Sequence, residues 1–406
     1  MAGRGPRRGV GITRNSRWLD GGRALSIAEF RIRPHMGNQL SPPAVEPQDF
    51  ASEIALRLGE RKPSPQVAHV FGRGRLFRRT LAALAWLYLL GLVLTWLLLW
   101  FATDRWWFAT MMAFGPRWLY ALPLLALVPA CIIWGRRRWP VLVASGLILC
   151  FPIMDFRCPW GRVFSPSGTA YRVLTCNLHD DECDPAALKA LVLCENPDFI
   201  ALQECNFEAI RPAVEGYQVV QFGGLLIASR FPLHEEENAS GAEPARAYPR
   251  SHILLCSADT PQGKLFLGCV HLPSPRYGLS GVLSRKAGIQ PLEKVRLEEH
   301  IRVRREVSAA IAALVEDLPG PIILAGDFNT PVESAVYRDC WSSYHNAFSR
   351  TGFGFGQTYR AAVWEIPFGV RIDHILGGSS IVPSRCWIGS AVGSEHLPVL
   401  ADMVRE

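Results

Sequence analysis

The hydrophobic pattern divides the chain into three regions. Residues 1–79 are rich in Arg, Gly and Pro and have neither a helical nor a strand period. They are typical of a disordered basic tail, with binding to anionic lipid or nucleic acid as the alternative interpretation. Residues 80–156 are dominated by long apolar runs, whereas short apolar runs separated by polar turns begin at Tyr171. We therefore predict a transmembrane region over 80–156, a linker over 157–170 and a globular domain over 171–406.

The middle region predicts membrane-spanning helices. Thr80–Ala102 is a run of 23 residues without a charge, which as a helix is long enough to cross a bilayer core of about 30 Å. Two shorter runs over about 118–134 and 139–154 contain prolines but have Trp or Tyr near their ends, as in an interfacial aromatic belt. We expect three helices, with two as the alternative.

Arginines predict the orientation of these helices. Arginines cluster before the first span, between residues 73 and 79, and again at Arg136–Arg138 between the second and third spans. The positive-inside rule makes both clusters cytoplasmic. Three crossings then place the C-terminal domain outside the cytoplasm, and two crossings would reverse that orientation. We expect a multi-pass protein of the cell membrane whose C-terminal domain is extracytoplasmic.

The C-terminal region predicts a mixed α/β domain. Helical spacing of apolar residues predicts helices over Ala186–Cys194 and Leu297–Leu318. Short runs bounded by turn residues predict strands between them. This alternation is typical of an α/β sandwich. The predicted strands are Tyr171–Cys176, Phe199–Leu202, Leu225–Ser229, Ile253–Ala258, Leu265–Val270, Ile322–Ala325 and Ile372–Leu376.

Charge and cysteine usage narrow the class of function. The chain has a net charge of +7, yet residues 161–406 carry 22 Lys and Arg against 28 Asp and Glu, a net charge of −6. A surface that binds duplex nucleic acid is normally basic, so this balance argues against a duplex-DNA repair enzyme. The eleven cysteines lack paired CxxC spacing and indicate neither a zinc knuckle nor a disulfide framework.

The segment Pro321–Pro331, PIILAGDFNTP, carries the strongest chemical signal. Its apolar run leads to Gly326 and then to Asp327 and Asn329, whose side chains share one face of a strand extension. A carboxylate and an amide beside a glycine suit a hard cation and a phosphate oxygen. Taken singly, such residues are more often turns or caps, but similar polar groups follow other strands and together predict a metal-dependent phosphoester site. These groups are Asn177, Gln203-Glu204, His271, Asp373-His374 and Glu395-His396.

With these motifs, Tyr171–Met403 resembles the endonuclease/exonuclease/phosphatase superfamily. The resemblance implies a DNase I-like four-layer α/β sandwich, preceded in this chain by transmembrane α-helices. It also implies a Mg²⁺-dependent hydrolase acting on ester bonds, of the phosphodiesterase or endonuclease type, with Mn²⁺ as the alternative metal. The matching segments are Leu174–Leu178, Leu202–Glu204, Ile227–Pro232, Val270–Pro273, Gly326–Pro331, Ile372–Leu376 and Ser394–Val399.

Five residues receive catalytic roles from this resemblance. Asp327 would orient or deprotonate the attacking water, and Asn329 would hold a phosphate oxygen. His396 would contact the scissile phosphate, with Asp373 orienting its ring. His271 would stabilise the developing charge or assist the leaving group.

The implied metal ligands are Glu204, Asn177 and Glu395. Glu204 would be the principal carboxylate, with Asn177 beside it, in an oxygen-rich site that suits Mg²⁺ or Mn²⁺. Glu395 departs from the family pattern, which has Asp before the final histidine, and its extra methylene displaces the carboxylate by roughly 1.5 Å. This departure favours the second hypothesis, a catalytically silent domain of the same fold that binds or signals at the membrane.

The expected partners are a lipid bilayer and a phosphoester substrate. The substrate would be a lipid headgroup, a small phosphoester or nucleic acid. No feature of the sequence indicates an obligate protein partner.

Overall fold

The computed structural model describes residues 65–134, 138–164, 168–179, 182–236, 252–275, 291–363 and 365–406. Residues 1–64 of the predicted tail lie outside these ranges. Helix α1 (Pro65–Ala102) begins before the predicted end of the tail at residue 79. Proline is favoured at the first turn of a helix, and Leu76 and Phe77 extend the apolar run toward it.

Three further helices follow α1 in the apolar region. They are α2 (Trp107–Phe114), α3 (Leu122–Trp134) and α4 (Trp139–Ile148), which a π-helical turn continues to Ile153. Leu76–Ala102 and Arg117–Trp134 are long and apolar enough to cross a membrane, and Trp139–Ile153 is shorter. Large apolar side chains on these helices remain exposed, among them Leu125 at 76%.

The remaining described residues form fourteen strands and five helices. All seven predicted strands and both predicted helices are confirmed, with boundaries that differ by a few residues. The strands are β1 (Ala170–Asn177), β2 (Phe199–Gln203), β3 (Gln218–Phe222), β4 (Leu225–Ser229), β5 (Leu233–Glu235), β6 (Ile253–Thr260), β7 (Gly263–His271), β8 (Ile322–Asp327), β9 (His345–Asn346), β10 (Tyr359–Val363), β11 (Ile366–Val370), β12 (Asp373–Gly377), β13 (Ile381–Ile388) and β14 (Val399–Arg405). The helices are α5 (Pro185–Glu195), α6 (Phe207–Ile210), α7 (Pro291–Glu316), α8 (Ala335–Cys340) and α9 (Ala347–Thr351).

The strands form two six-stranded sheets and one hairpin. The first sheet has the order β13-β14-β1-β2-β4-β3 and the second has the order β5-β6-β7-β8-β12-β9. β1 and β2 are parallel, as are β7 and β8. β10 and β11 pair as a separate antiparallel hairpin.

Alternation of side chains along the strands produces the layers. Val173 and Leu267 belong to the buried cluster between the two sheets. Leu174, on the opposite face of β1, packs with Leu188 of α5. On the second sheet, Leu324 packs with Val307 of α7. Because successive strand residues face opposite sides, each sheet buries both faces, and the predicted four-layer α/β sandwich of the DNase I-like type is confirmed.

The strand directions collect the polar residues at one edge of the sandwich. β1, β2, β7 and β8 end at this edge, whereas β12 and β14 begin there, because they run antiparallel to β8 and β1. Asp327 therefore pairs with His271 on one side and with Asp373 on the other. Gly326 precedes it with φ of 151°, and a Cβ at this position would collide with the carbonyl oxygen of Val270.

Candidate active site

Asp327 is the centre of the polar cluster at this edge. The residue is 2% exposed, and its Oδ1 accepts a hydrogen bond of 2.9 Å from the backbone N–H of Asn329. Its Oδ2 accepts from Asn329 Nδ2 at 3.0 Å and from Asn177 Nδ2 at 3.2 Å. Asn329 adopts φ of 46°, which turns its amide back toward the carboxylate. Three N–H donors thus fix the orientation of Asp327.

Asn177 links Asp327 to Glu204. Asn177 Nδ2 lies 3.3 Å from Glu204 Oε1, and its Oδ1 accepts from the backbone N–H of His179 at 3.0 Å. Glu204 follows β2 with φ of 48°. His271 Nε2 lies 3.3 Å from Glu204 Oε1 and 3.9 Å from Asp327 Oδ2. The two carboxylates therefore share an amide and an imidazole as neighbours.

His396 and Asp373 form the other half of the cluster. His396 Nδ1 lies 3.0 and 3.1 Å from the two carboxylate oxygens of Asp373. The opposite ring nitrogen, Nε2, lies 4.0 Å from Asp327 Oδ2. Both residues are buried. Asp373 thus fixes the imidazole orientation and leaves Nε2 directed toward Asp327.

Burial and mutual charge shift the pKa values of this cluster. Burial, together with repulsion from Asp373, raises the pKa of Asp327 to about 7. Burial lowers the pKa of His396, but Asp373 and Asp327 outweigh it and raise that pKa to about 9. The raised pKa of His396 favours its cationic form at neutral pH, and the raised pKa of Asp327 moves its titration toward the neutral range.

The donor atoms of the cluster fit a hard divalent cation. Glu204 and Asp327 offer carboxylate oxygens on either side of the Asn177 amide, and Mg²⁺ prefers such oxygen donors. Ligand atoms of Asp327, Asp373 and His396 also lie within 4.8 Å of one another. In that second group, however, His396 Nδ1 already occupies both Asp373 oxygens. The Glu204 and Asp327 side therefore fits a cation better.

Seven of the eight predicted site residues lie in this one cluster. They are Asn177, Glu204, His271, Asp327, Asn329, Asp373 and His396. The eighth, Glu395, is half-buried, and its backbone carbonyl accepts a hydrogen bond of 2.9 Å from the N–H of Arg360. Its role as a metal ligand stays a prediction.

Three further residues hold the cluster in place, and the sequence assigned them no role. Ser394 donates to Asn177 O at 2.7 Å and accepts from the N–H of His396 at 3.0 Å. Thr358 Oγ1 accepts from the backbone N–H of Asp373 at 3.1 Å. His252 Nδ1 lies 2.9 Å from His271 O. Ser394 could have been found from the sequence, because it begins the Ser394–Val399 motif. No motif or spacing in the sequence points to Thr358.

A known protein family matches the part of the chain that carries the cluster. The Endonuclease/Exonuclease/phosphatase family matches residues 174–396, which is more than half of the chain and includes the whole cluster. No curated protein matches the sequence at a significant level.

Solved structures of low sequence identity resemble part of the chain. A 3′-5′ exonuclease (NExo) from Neisseria meningitidis is 17% identical with a TM-score of 0.41, over 57% of this chain and 98% of that chain. A humanized D. rerio TDP2 with 14 mutations is 14% identical with a TM-score of 0.42, over 58% and 98% of the two chains. An endonuclease/exonuclease/phosphatase from Bacteroides vulgatus is 16% identical with a TM-score of 0.40, over 59% and 100%.

Proposed function

Since the chain belongs to the endonuclease/exonuclease/phosphatase family, we propose that it is a membrane-anchored, divalent-metal-dependent phosphoesterase. It hydrolyses phosphodiester or phosphomonoester bonds by in-line attack of an activated water. The observation that carries this proposal is the position of Asp327, between a carboxylate–amide pair on one side and an Asp–His pair on the other. One half suits a cation and the other suits a phosphate.

Asp327 acts as the base that orients the water and removes its proton. Its carboxylate is held by three N–H donors, and burial raises its pKa to about 7, near neutral pH. A general base is most effective when its pKa lies near the operating pH. The attacking oxygen would therefore be partly deprotonated where it meets the phosphorus.

His396 acts on the phosphate. Asp373 holds its Nδ1, and the raised pKa of about 9 keeps the ring cationic at neutral pH. A fixed cation at this point offsets the negative charge that repels a nucleophile from a phosphoester. The cation also stabilises the charge that develops on the equatorial oxygens.

Asn329 and His271 complete the proposed machinery. Asn329 Nδ2 donates to Asp327 Oδ2 and to Leu272 O, and it would exchange one of these bonds to hold a phosphate oxygen. His271 lies between Glu204 and Asp327 and would stabilise the leaving oxygen or protonate it.

Glu204 and Asn177, with Glu395 as a further candidate, would hold Mg²⁺ or Mn²⁺. Asn177 would ligate through Oδ1, which accepts from the N–H of His179 in this structure, because its Nδ2 faces the carboxylates as a donor. When bound, the metal supplies charge neutralisation and Lewis acidity to the phosphoryl oxygens.

The three apolar segments are proposed to cross the cell membrane, with the sandwich on the extracytoplasmic side. Leu76–Ala102 and Arg117–Trp134 have the required length. The third segment is short, but its two ends support a crossing. Arg138 donates to Arg78 O at 2.8 Å at one end, whereas Ile153 O accepts from Arg117 at 3.0 Å at the end next to the sandwich. The proposed boundaries are 80–156 for the membrane region, 157–170 for the linker and 171–406 for the catalytic domain.

The substrate is proposed to be a phosphoester that meets the protein at a bilayer surface or outside the cell. The net charge of −6 over residues 161–406 favours a lipid headgroup or a small phosphoester over duplex nucleic acid. A panel of sphingomyelin vesicles, inositol phosphates, plasmid DNA and single-stranded DNA would identify the class.

Hydrolysis of bis-p-nitrophenyl phosphate by the full-length protein in detergent with Mg²⁺ tests the activity itself. Wild type is expected to hydrolyse the ester, whereas Asp327→Ala and His396→Ala lose activity because they remove the base and the phosphate-binding cation. Equal rates for wild type and both variants would refute the enzyme proposal in favour of the catalytically silent alternative.

A further inference from the structure

Three buried ion pairs join the apolar region to the sandwich. Asp155, just beyond the third apolar segment, pairs with Arg371. Arg117, at the start of the second, pairs with Glu333. Asp104, in the turn after α1, pairs with Arg304 of α7. The first two pairs attach at the edge that carries the cluster, whereas the third attaches to the outer helix layer.

Arg371 is two residues before Asp373, at the entry to β12. Two residues of extended chain span at most about 7 Å. The Arg371 side chain is 3% exposed, and its Nε lies 3.2 Å from Asp155 Oδ2. It also donates to Asn346 Oδ1 at 3.2 Å and to Ser349 Oγ at 3.1 Å. The start of β12 is therefore fixed between α9, the preceding β9 and the apolar region.

Glu333 lies in the loop that leaves β8, four residues after Asn329. Its partner Arg117 also donates through Nε to Ala113 O at 3.0 Å and through a terminal nitrogen to Ile153 O at 3.0 Å. One guanidinium thus joins the ends of two apolar helices to the loop after β8. Pro331, in the same loop, lines a cavity together with Trp118 and Met154 of the apolar region.

We propose that Asp155 and Arg117 are positioning residues for the reaction, so that the apolar region sets the geometry of the catalytic edge as well as anchoring the protein. Asp155 acts through Arg371 on Asp373, which orients His396. Arg117 acts through Glu333 on the loop that holds Asn329 against Asp327. This inference rests on the proposed phosphoesterase function for its kinetic readout.

The chemistry of the contacts favours positioning over simple attachment. At a buried junction, well-packed apolar side chains usually stabilise the protein at least as much as an ion pair of similar volume does. Charge-assisted hydrogen bonds of guanidinium to carboxylate add directional geometry instead. Two of these directional contacts adjoin strand ends that carry catalytic side chains.

Asp155→Asn and Asp104→Asn form a matched pair of variants in the full-length protein. Both remove one charge from a buried junction ion pair, but only Asp155 adjoins the catalytic edge. With bis-p-nitrophenyl phosphate and Mg²⁺, Asp155→Asn is expected to lower kcat by about 10- to 100-fold with KM changed less than about 2-fold. Asp104→Asn is expected to leave kcat within about 2-fold of wild type. Equal kcat values for the two variants, at equal midpoints of thermal unfolding, would overturn the proposal.

Amide hydrogen exchange tests the positioning roles without relying on activity. A further variant, Glu333→Gln, tests them if one of the first two variants does not fold. Exchange is expected to rise at residues 371–374 in Asp155→Asn and at residues 330, 332 and 333 in Glu333→Gln, and at neither segment in Asp104→Asn. Unchanged exchange at both segments would contradict the positioning roles. If exchange rises as expected while wild type shows no hydrolysis, the proposed function fails and the structural coupling stands.

Discussion

Asp327 lies between His271 and Asp373 on neighbouring strands, so the backbone register alone brings an imidazole and a second carboxylate beside it. Asn177 and Asn329 donate to the same Oδ2. Their donation offsets part of the cost of burying the charge. The remaining cost appears as the pKa of about 7. Catalytic use of Asp327 and reduced local stability are expected to go together.

Asp327→Asn therefore separates activity from folding. We expect kcat to fall by about 10²- to 10⁴-fold, because the general base is lost, while the midpoint of thermal unfolding stays equal or rises. Hydrolysis of bis-p-nitrophenyl phosphate and differential scanning fluorimetry measure the two effects. Asp317→Asn, at an exposed position, serves as the control and should match wild type in both. A lower midpoint for Asp327→Asn with unchanged kcat would assign the carboxylate to structure.

Ser394 offers a test of the residues that hold the cluster. Ser394→Ala leaves the carbonyl of Asn177 and the N–H of His396 without this hydroxyl partner. Such a loss costs about 1–3 kcal/mol of the free energy of unfolding, and we expect a partial fall in kcat. Chemical denaturation of the purified protein checks the first value. Ser342→Ala, at an exposed serine, should change neither quantity, and an equally mild Ser394→Ala would show that the hydroxyl is dispensable.

At the scale of the element, β8 depends on Gly326. Gly326→Ala places a methyl group against the Val270 carbonyl at a φ of 151°. We expect it to cost more than about 3 kcal/mol of unfolding free energy. Gly146→Ala in α4 is the control, because a methyl group there meets no described atom within 4 Å. The midpoints of thermal unfolding of the two variants are compared in the same detergent. Similar midpoints would mean that β7 and β8 can move apart without a loss of stability.

The link between α4 and β12 predicts a pH dependence of stability. Burial raises the pKa of Asp155, but Arg371 and Arg157 outweigh it, so this pKa lies below its ordinary value of 3.8. The stabilising contribution of Asp155 is therefore present above that pH and is lost as the pH falls through the folded-state pKa. Asp155→Asn should destabilise the protein by about 3–5 kcal/mol near neutral pH.

Thermal unfolding from pH 7 to pH 3 measures this difference between wild type and Asp155→Asn. The difference should stay constant down to about pH 4 and shrink below it. A difference that grows on acidification would contradict the assigned sign.

The local pattern of apolar and polar residues was enough to predict the main strands and helices. It did not predict the contacts between residues far apart in the sequence. Runs such as Ile322–Ala325 are apolar and bounded by turns, so their strand character could be inferred. β13 was missed because Pro383 and the exposed Arg385 interrupt its apolar pattern. The bond between Ser394 and Asn177 joins residues 217 positions apart, and no periodicity records such a contact. The motifs were enough to predict which residues form the candidate site, whereas the residues that hold it in place required the fold.

At the scale of the whole molecule, the proposed three crossings place the sandwich outside the cytoplasm. The start of the second apolar segment meets the end of the third where Arg117 contacts Ile153 O. This end lies next to the sheet edge that carries the polar cluster. A C-terminal alkaline phosphatase fusion, which is active only outside the cytoplasm, is expected to be active. A fusion ending at Arg138 should be inactive, because that turn is proposed to be cytoplasmic. Two crossings, by Leu76–Ala102 and Arg117–Trp134 alone, would leave both fusions inactive.

A metal titration of hydrolysis tests whether the protein is a metal-dependent phosphoesterase. Full-length wild type should lose bis-p-nitrophenyl phosphate hydrolysis in EDTA by more than about 100-fold and recover it with Mg²⁺ or Mn²⁺. Glu204→Gln should need about 10-fold or more Mg²⁺ for half-maximal rate, because it removes the proposed principal carboxylate. Hydrolysis that persists in EDTA, or a Glu204→Gln titration that overlays that of wild type, would show that the reaction does not depend on a metal held by Glu204.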